Sequence, residues 1–266
     1  MERPSGIALA VAEPTGAPRL VERRWSRGDA LAWLLDTAAS GERMLIGLDL
    51  SPALPFADEG SYFPGMPDGP PDARALWRFV ERRCAADPHL GVSGLLADPE
   101  IARHFRLPGR KGDLFGQGRG RLRECEKRIP GLPSSCFNLV GAAQVGRSSL
   151  TGMRVLHRLG GAVPVWPVEP LPPDGPVIVE VYPKLAALAA GVPAGRKLRT
   201  RDALTRALAA LGSPDHPPLA RHDDHAADAI LTAAWLRAVS EDAALWSPGA
   251  LTPEIARTEG WTFGVP

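Results

Sequence analysis

Four acidic side chains occupy positions from which carboxylates can do chemistry. Asp49 closes the apolar run Met44-Leu45-Ile46-Gly47-Leu48, and Glu180 follows Val177-Ile178-Val179 directly. A buried ionised carboxylate is costly unless it is paired, hydrogen-bonded or metal-bound. The plain reading of either acid alone is a loop-facing residue paired with an arginine. Asp224 and Asp228 lie four apart in His222-Asp223-Asp224-His225-Ala226-Ala227-Asp228-Ala229, so a helix there puts both on one face. The helix dipole accounts for acids in a first turn, such as Asp223 and Asp224, and explains Asp228 less well. Carboxylates gathered at one place repel unless protonated or bridged by cations. Oxygen-only ligands suit Mg²⁺ or Mn²⁺, and two such ions activate water and stabilise the leaving oxygen in phosphodiester cleavage. Asp49, Glu180, Asp224 and Asp228 are therefore the expected catalytic and metal-holding set, with Mg or Mn as cofactor.

Basic side chains supply the complementary candidates. Residues 106–128 hold eight cations against three acids. Within this stretch Gly116-Gln117-Gly118-Arg119-Gly120-Arg121 reads as a flexible basic loop. Arg119, Arg121 and Arg123 are expected to steady a nucleic-acid backbone with salt-dependent affinity, the alternative being a solvated loop. The segment Gly141-Ala142-Ala143-Gln144-Val145-Gly146-Arg147-Ser148 nearly matches a phosphate-binding P-loop, but Arg147 stands where that pattern requires lysine. A glycine turn packing a strand against a helix is the simpler account. Arg147, Ser148 and the backbone N–H groups of the helix start remain candidates for holding a phosphate. Cys84, His89 and His104 lack zinc-site spacing. His222 and His225 flank the acidic helix as candidate general base or phosphate contact.

The elements that must position these groups follow from pattern and punctuation. Residues 6–12 and 19–25 read as a hairpin, and Ser26 caps a helix that ends at Gly41. Residues 43–50 read as a buried strand. From Pro52 to about Pro133 prolines and glycines cluster around a helix at about 72–86 and a weaker apolar pattern at 93–105. An apolar segment at 136–140, a helix at 148–159 and a strand near 162–166 resume the core. Residues 176–182 give the clearest strand, and Pro183 opens the next helix. Thr200 caps another, and a long helix runs from about Asp223 to Val239. The expected division is an N-terminal core part (1–51), an inserted cap or substrate-facing segment (52–135), a C-terminal core part (136–245) and an irregular tail (246–266).

Composition bounds the reading. With 266 residues, 44% hydrophobic and 23% charged, the chain makes one large or two small globular domains rather than a disordered one. A net charge of +1 leaves nucleic-acid binding to a local patch. Three cysteines at irregular spacing exclude a disulfide framework. No apolar stretch approaches membrane-spanning length, and Met1-Glu2-Arg3-Pro4 opens a poor signal peptide, so a cytoplasmic protein with no membrane partner is expected.

An ordered set of short motifs resembles the RNase H-like superfamily, and within it the bacterial family catalogued as domain of unknown function 429, whose members are expected to be nucleases. The set comprises Ile46-Gly47-Leu48-Asp49 with Pro52, Tyr62-Phe63-Pro64-Gly65, Gly141-Ala142-Ala143-Gln144-Val145-Gly146 with Leu150-Thr151-Gly152, Val165-Trp166-Pro167, Glu180-Val181-Tyr182-Pro183 and the Asp224/Asp228 helix. The final helix is also similar to that of Holliday-junction resolvases. The resemblance implies an α/β fold: an RNase H-like mixed sheet of three antiparallel strands extended by parallel ones, flanked by helices, with a loop-rich helical insertion. Acids on central strands and the last helix would bind two metals. In that family a first-strand Asp lies just before the first hairpin, and Met1-Glu2-Arg3-Pro4-Ser5 offers no such strand. Either the true start lies upstream or a ligand has been lost. Two alternatives to a nuclease therefore stand: a catalytically incomplete scaffold binding nucleic acid or protein, and a nucleotide- or phosphate-binding enzyme using the Gly141–Ser148 turn.

Overall fold

The computed structural model describes residues 6–131, 133–141 and 145–266. The expectation about residues 1–5, and the part of the glycine turn at 142–144, lie outside the described residues. The chain opens with β1 (Ala10–Val11) and β2 (Arg19–Leu20), an antiparallel pair extended by a bridge between Ile7 and Trp25. Ser26 then caps α1 (Arg27–Ser40) in a reciprocal capping box with Asp29. The apolar run that follows is β3 (Leu45–Leu48). The middle of the chain is helical: α2 (Ala73–Arg83), α3 (Ser93–Ala97) and α4 (Pro99–Ala102), then a tight hairpin of β4 (Arg106–Leu107) and β5 (Arg110–Lys111), then α5 (Glu124–Arg128). Next come α6 (Val145–Leu159), β6 (Val165–Trp166) and β7 (Val177–Glu180). Helices α7 (Pro183–Ala189), α8 (Arg201–Ala210), α9 (Asp224–Val239), α10 (Ala243–Trp246) and α11 (Pro253–Thr258) complete the order.

The architecture is mixed α/β. A three-stranded parallel sheet runs in the order β3-β7-β6, with Leu48 opposite Glu180. Strand β7 is buried on both faces, as a central parallel strand must be. Ile178 belongs to a core with Ile46, Leu150 and Leu156, and Val179 to a second core with Leu231 and Trp235. Helices α1, α2 and α6 thus cover one face, while α7 and α9 cover the other. Helix α9 lies close against β3 because residue 47 is glycine: a Cβ there would sit 2.7 Å from Leu236 Cδ1 and 2.8 Å from Val181 Cγ1.

One expectation is corrected. The single sheet of three antiparallel strands extended by parallel ones is absent among the described residues. Each strand of the first hairpin is two residues long, and the pair rests on α9 instead of joining β3. Within the 52–135 segment, Leu54, Trp77 and Phe105 share one core with Leu34, Ile46 and Ile178. The 246–266 tail is built into the protein: Trp261, Phe263 and Val265 are buried, and Phe263 N–H donates to the Glu180 carbonyl at 2.9 Å. Residues 136–140 contribute one bridge, Asn138 to Arg106, and no strand.

Candidate functional site

Side chains alternate along a strand, so register partners such as Leu48 and Glu180 share a face while the sequence neighbours Leu48 and Asp49 leave on opposite ones. Leu45 and Gly47 look toward α9, and the next residue on that face is Asp49. Glu180 shares the opposite face with Ile178, where Leu48, Leu50 and Pro52 lie beside it. The two strand-end acids that look alike in sequence therefore serve different neighbourhoods.

Glu180 is enclosed by the middle of the chain. Arg123, fully buried, donates from Nη2 to Glu180 Oε1 at 2.5 Å and from Nη1 to Oε2 at 2.7 Å. It also donates from Nε to Glu126 Oε1 at 3.0 Å, from Nη2 to Ser51 Oγ at 3.1 Å and from Nη1 to the Glu259 carbonyl at 3.1 Å. These five bonds use all five N–H groups of the guanidinium. Cys136 Sγ lies 3.1 Å from both Ser51 Oγ and Glu126 Oε1 and closes the cluster. Burial pushes the Glu180 carboxyl up from its ordinary value, and the bidentate Arg123 pulls it back. The arrangement gives both glutamates one shared counter-charge and bonds each of their oxygens.

Asp49 has no such partner. It is open to solvent, yet protein crowds it closely enough that desolvation leads the causes raising its carboxyl to about 6. The charges of Asp228 and then Glu180 push in the same direction, while His225 and Lys197 pull back. Asp228, on the first turns of α9, is itself raised by burial and by Asp224, against Lys197. The Lys197 ammonium lies 3.5 Å from Asp228 and 3.8 Å from Asp224, and Arg199 reaches Asp224 at 4.0 Å. Tyr182, just past β7, completes the surroundings. Burial and then the Asp49 charge raise its hydroxyl, and Arg119 lowers it.

Of the four expected acids, Asp49 and Asp228 thus come together, Asp224 stands at their edge under two cations, and Glu180 is turned into an ion pair. The expected arginines divide in the same way. Arg119 is exposed, donates to the Gly131 carbonyl at 2.9 Å and lies near Tyr182. Arg121 is corrected to a structural role: it meets Asp58 at 2.5 Å and the carbonyls of Pro55, Ser61 and Tyr62 at 3.1, 2.8 and 3.0 Å. Arg123 is corrected likewise, because a fully buried guanidinium cannot touch a nucleic-acid backbone. Arg147 and Ser148 are exposed on the first turn of α6, with Ser148 Oγ bonded to the Val145 carbonyl at 2.9 Å. His222 Nε2 lies 2.7 Å from the Leu198 carbonyl, and His225 is exposed beside Gly6.

No protein family, curated protein or solved structure matches this chain. The site therefore stands on its own chemistry. Lys197 and Tyr182 were missed by sequence reasoning. The Glu180-Val181-Tyr182-Pro183 segment marked Tyr182, whereas Lys197 lies in a Pro- and Gly-rich loop with no local signal. All three cysteines are buried thiols.

The donor set bears on a metal. Among the described residues no group of three or more His, Cys, Asp and Glu side chains is arranged to hold an ion. Asp49 and Asp228 form a repelling carboxylate pair, which fits one hard cation. Mg²⁺ is commonly held by one or two carboxylates, with waters and substrate phosphates completing its shell. The pair does not provide the four-carboxylate set of a two-metal centre.

Proposed function

We propose that this protein hydrolyses phosphodiester bonds of nucleic acid, with Mg²⁺ or Mn²⁺ held by Asp49 and Asp228. The observation that carries the reading is the placement of Asp49, exposed at the end of β3, within the influence of Asp228 on α9, whose charge adds to desolvation in raising the Asp49 carboxyl to about 6. Perturbed acids in clefts mark functional sites, and a cation would relieve the repulsion between these two. The position agrees with where open parallel sheets place ligands, beyond the carboxyl ends of their strands. Placement of the two acids, at the end of β3 and on a long late helix, supports an RNase H-like fold.

When bound, the metal supplies charge for the developing phosphoryl oxygens and lowers the pKa of a water. The chain's own groups complete the chemistry. Exposed His225 stands beside Asp49 to take a proton from water. Lys197, on a loop rather than a packed element, offers a positive charge to a phosphate that displaces it from Asp228. Tyr182 offers a hydroxyl, and Arg119 orients the substrate from the rim. The test is cleavage of labelled single-stranded DNA and RNA with Mn²⁺ or with EDTA. Wild-type protein cuts with Mn²⁺ only, and Asp49→Asn and Asp228→Asn each lose about a hundredfold or more in rate. Equal cleavage in EDTA, or by Asp49→Asn, contradicts the proposal.

One observation favours a second reading. The Arg123 clamp withdraws Glu180 from any metal, as suits a scaffold that binds nucleic acid without turnover. On that reading every protein in the cleavage assay is inert while strand binding persists.

A further inference from the structure

A cleft of about 530 Å³ opens between the β4–β5 hairpin and the start of α6. Four exposed cations line it, namely Arg106, Arg110, Lys111 and Arg147, and no acidic side chain does among the described residues. The hairpin presents three of them, Arg106, Arg110 and Lys111, around a Pro108-Gly109 turn, and α6 presents Arg147. Gly109 takes φ 72°, the conformation glycine supplies at the third position of a type II turn. The register places Arg106 directly opposite Lys111. Like charges facing each other across an antiparallel pair destabilise it. Lys111 Nζ lies over the Phe115 ring, 5.3 Å from its centroid, but no acid among the described residues offsets the repulsion. None of the four cations is in an ion pair with a described residue, and Asp113, the acid nearest the hairpin in sequence, is held by Arg103 at 2.7 Å. The hairpin is also fixed in place, since Arg106 N–H donates to the Phe137 carbonyl and Leu139 N–H to the Arg106 carbonyl, both at 2.9 Å.

We propose that this cleft binds consecutive phosphates of a nucleic-acid strand through Arg106, Arg110, Lys111 and Arg147. The inference deepens the phosphodiesterase reading and rests on it for the choice of a strand as ligand. Apart from the cations, the described wall is aliphatic side chains, proline and glycine, and among the described residues it holds no aromatic face to stack a base and no side-chain amide to read its edge. Such a surface reads charge and spacing, which a phosphate backbone supplies irrespective of sequence.

The test is fluorescence anisotropy with a short labelled single-stranded oligonucleotide in EDTA, so that turnover plays no part. The double variant Arg110→Gln/Lys111→Gln and the single variant Arg147→Gln change exposed positions, and unchanged melting temperatures verify their folding. Binding weakens about tenfold or more in the double variant, and the slope of log affinity against log salt falls by about 0.7 for each charge removed. Oligonucleotides of different base composition bind alike. Affinity and salt slope unchanged in both variants overturn the proposal. Tight binding of inorganic pyrophosphate or ATP with no binding of the strand overturns it too, and assigns the cleft to a small phosphate. Strand binding lost in the cation variants, with no cleavage by the wild type in Mn²⁺, upholds the cleft and removes the hydrolytic reading alone.

Discussion

Asp49 and Glu180 end adjacent parallel strands, one residue apart in register, and they have opposite fates. Glu180 faces the side filled by the middle of the chain, where Arg123 meets both its oxygens. Asp49 faces α9, where another carboxylate, Asp228, is the largest charge influence raising it. One acid is neutralised and dry, and the other is repelled and wet. An acid at the end of an apolar strand is thus no statement about function until the opposite charge is located. The same contrast separates the arginines: Arg121 and Arg123 are spent on the fold, while Arg119 and the four cations of the cleft face outward.

The largest expected effect breaks the dry side. Arg123→Met leaves Glu180 and Glu126 buried without a counter-charge, at a cost of about 3–5 kcal/mol. For a chain of this size that lowers the melting temperature by about 10 °C or more. Arg119→Ala, by contrast, leaves it unchanged. Thermal melts of the two variants that coincide would erase the distinction between structural and outward-facing arginines.

A smaller effect sharpens the wet side. A carboxyl whose folded value is about 6, raised from 3.8, binds its proton more tightly in the native state than in the unfolded one. Native stability therefore declines as pH rises from about 4 through about 6, and ionised Asp49 is a net cost at neutral pH. Asp49→Asn removes that cost. Urea melts should show the variant more stable than wild type at pH 7, by no more than about 1 kcal/mol once solvent screening is allowed for. The difference should vanish below pH 4, and a variant less stable at pH 7 reverses the sign.

The smallest effect concerns Lys197. Its ion pairs with Asp224 and Asp228 are exposed, so Lys197→Gln changes stability by about 0.5 kcal/mol or less. Its charge nonetheless lowers Asp49 and Asp228. Carbon-detected titration of the two carboxyls should show both midpoints moving upward in the variant. Midpoints that stay put remove Lys197 from the site.

What was legible in the sequence was local. Helix starts at Ser26, Thr200 and Asp223 could be read because a cap and its partner lie within three residues. The apolar runs of β3 and β7 and the i, i+4 pair on α9 followed from periodicity. The rest depends on distance along the chain. Arg123 is 57 residues from Glu180, and no spacing rule joins a basic loop to one particular acid. Face assignment failed for a related reason: alternation is visible within a strand, but which face meets which helix depends on crossovers. Two signals were present and passed over. Trp261, Phe263 and Val265 alternate as a buried extended segment does, and Pro108-Gly109 between two pairs of residues marks a tight hairpin.

The central claim is that Asp49 and Asp228 form one cation site from which Glu180 is withheld. Calorimetric titration of the protein with Mn²⁺ tests it most directly, with Asp49→Asn, Asp228→Asn and Arg119→Ala alongside. The account predicts one ion per chain, binding lost in both aspartate variants, and binding unchanged in Arg119→Ala. No binding by the wild type, or binding that survives either aspartate change, contradicts it.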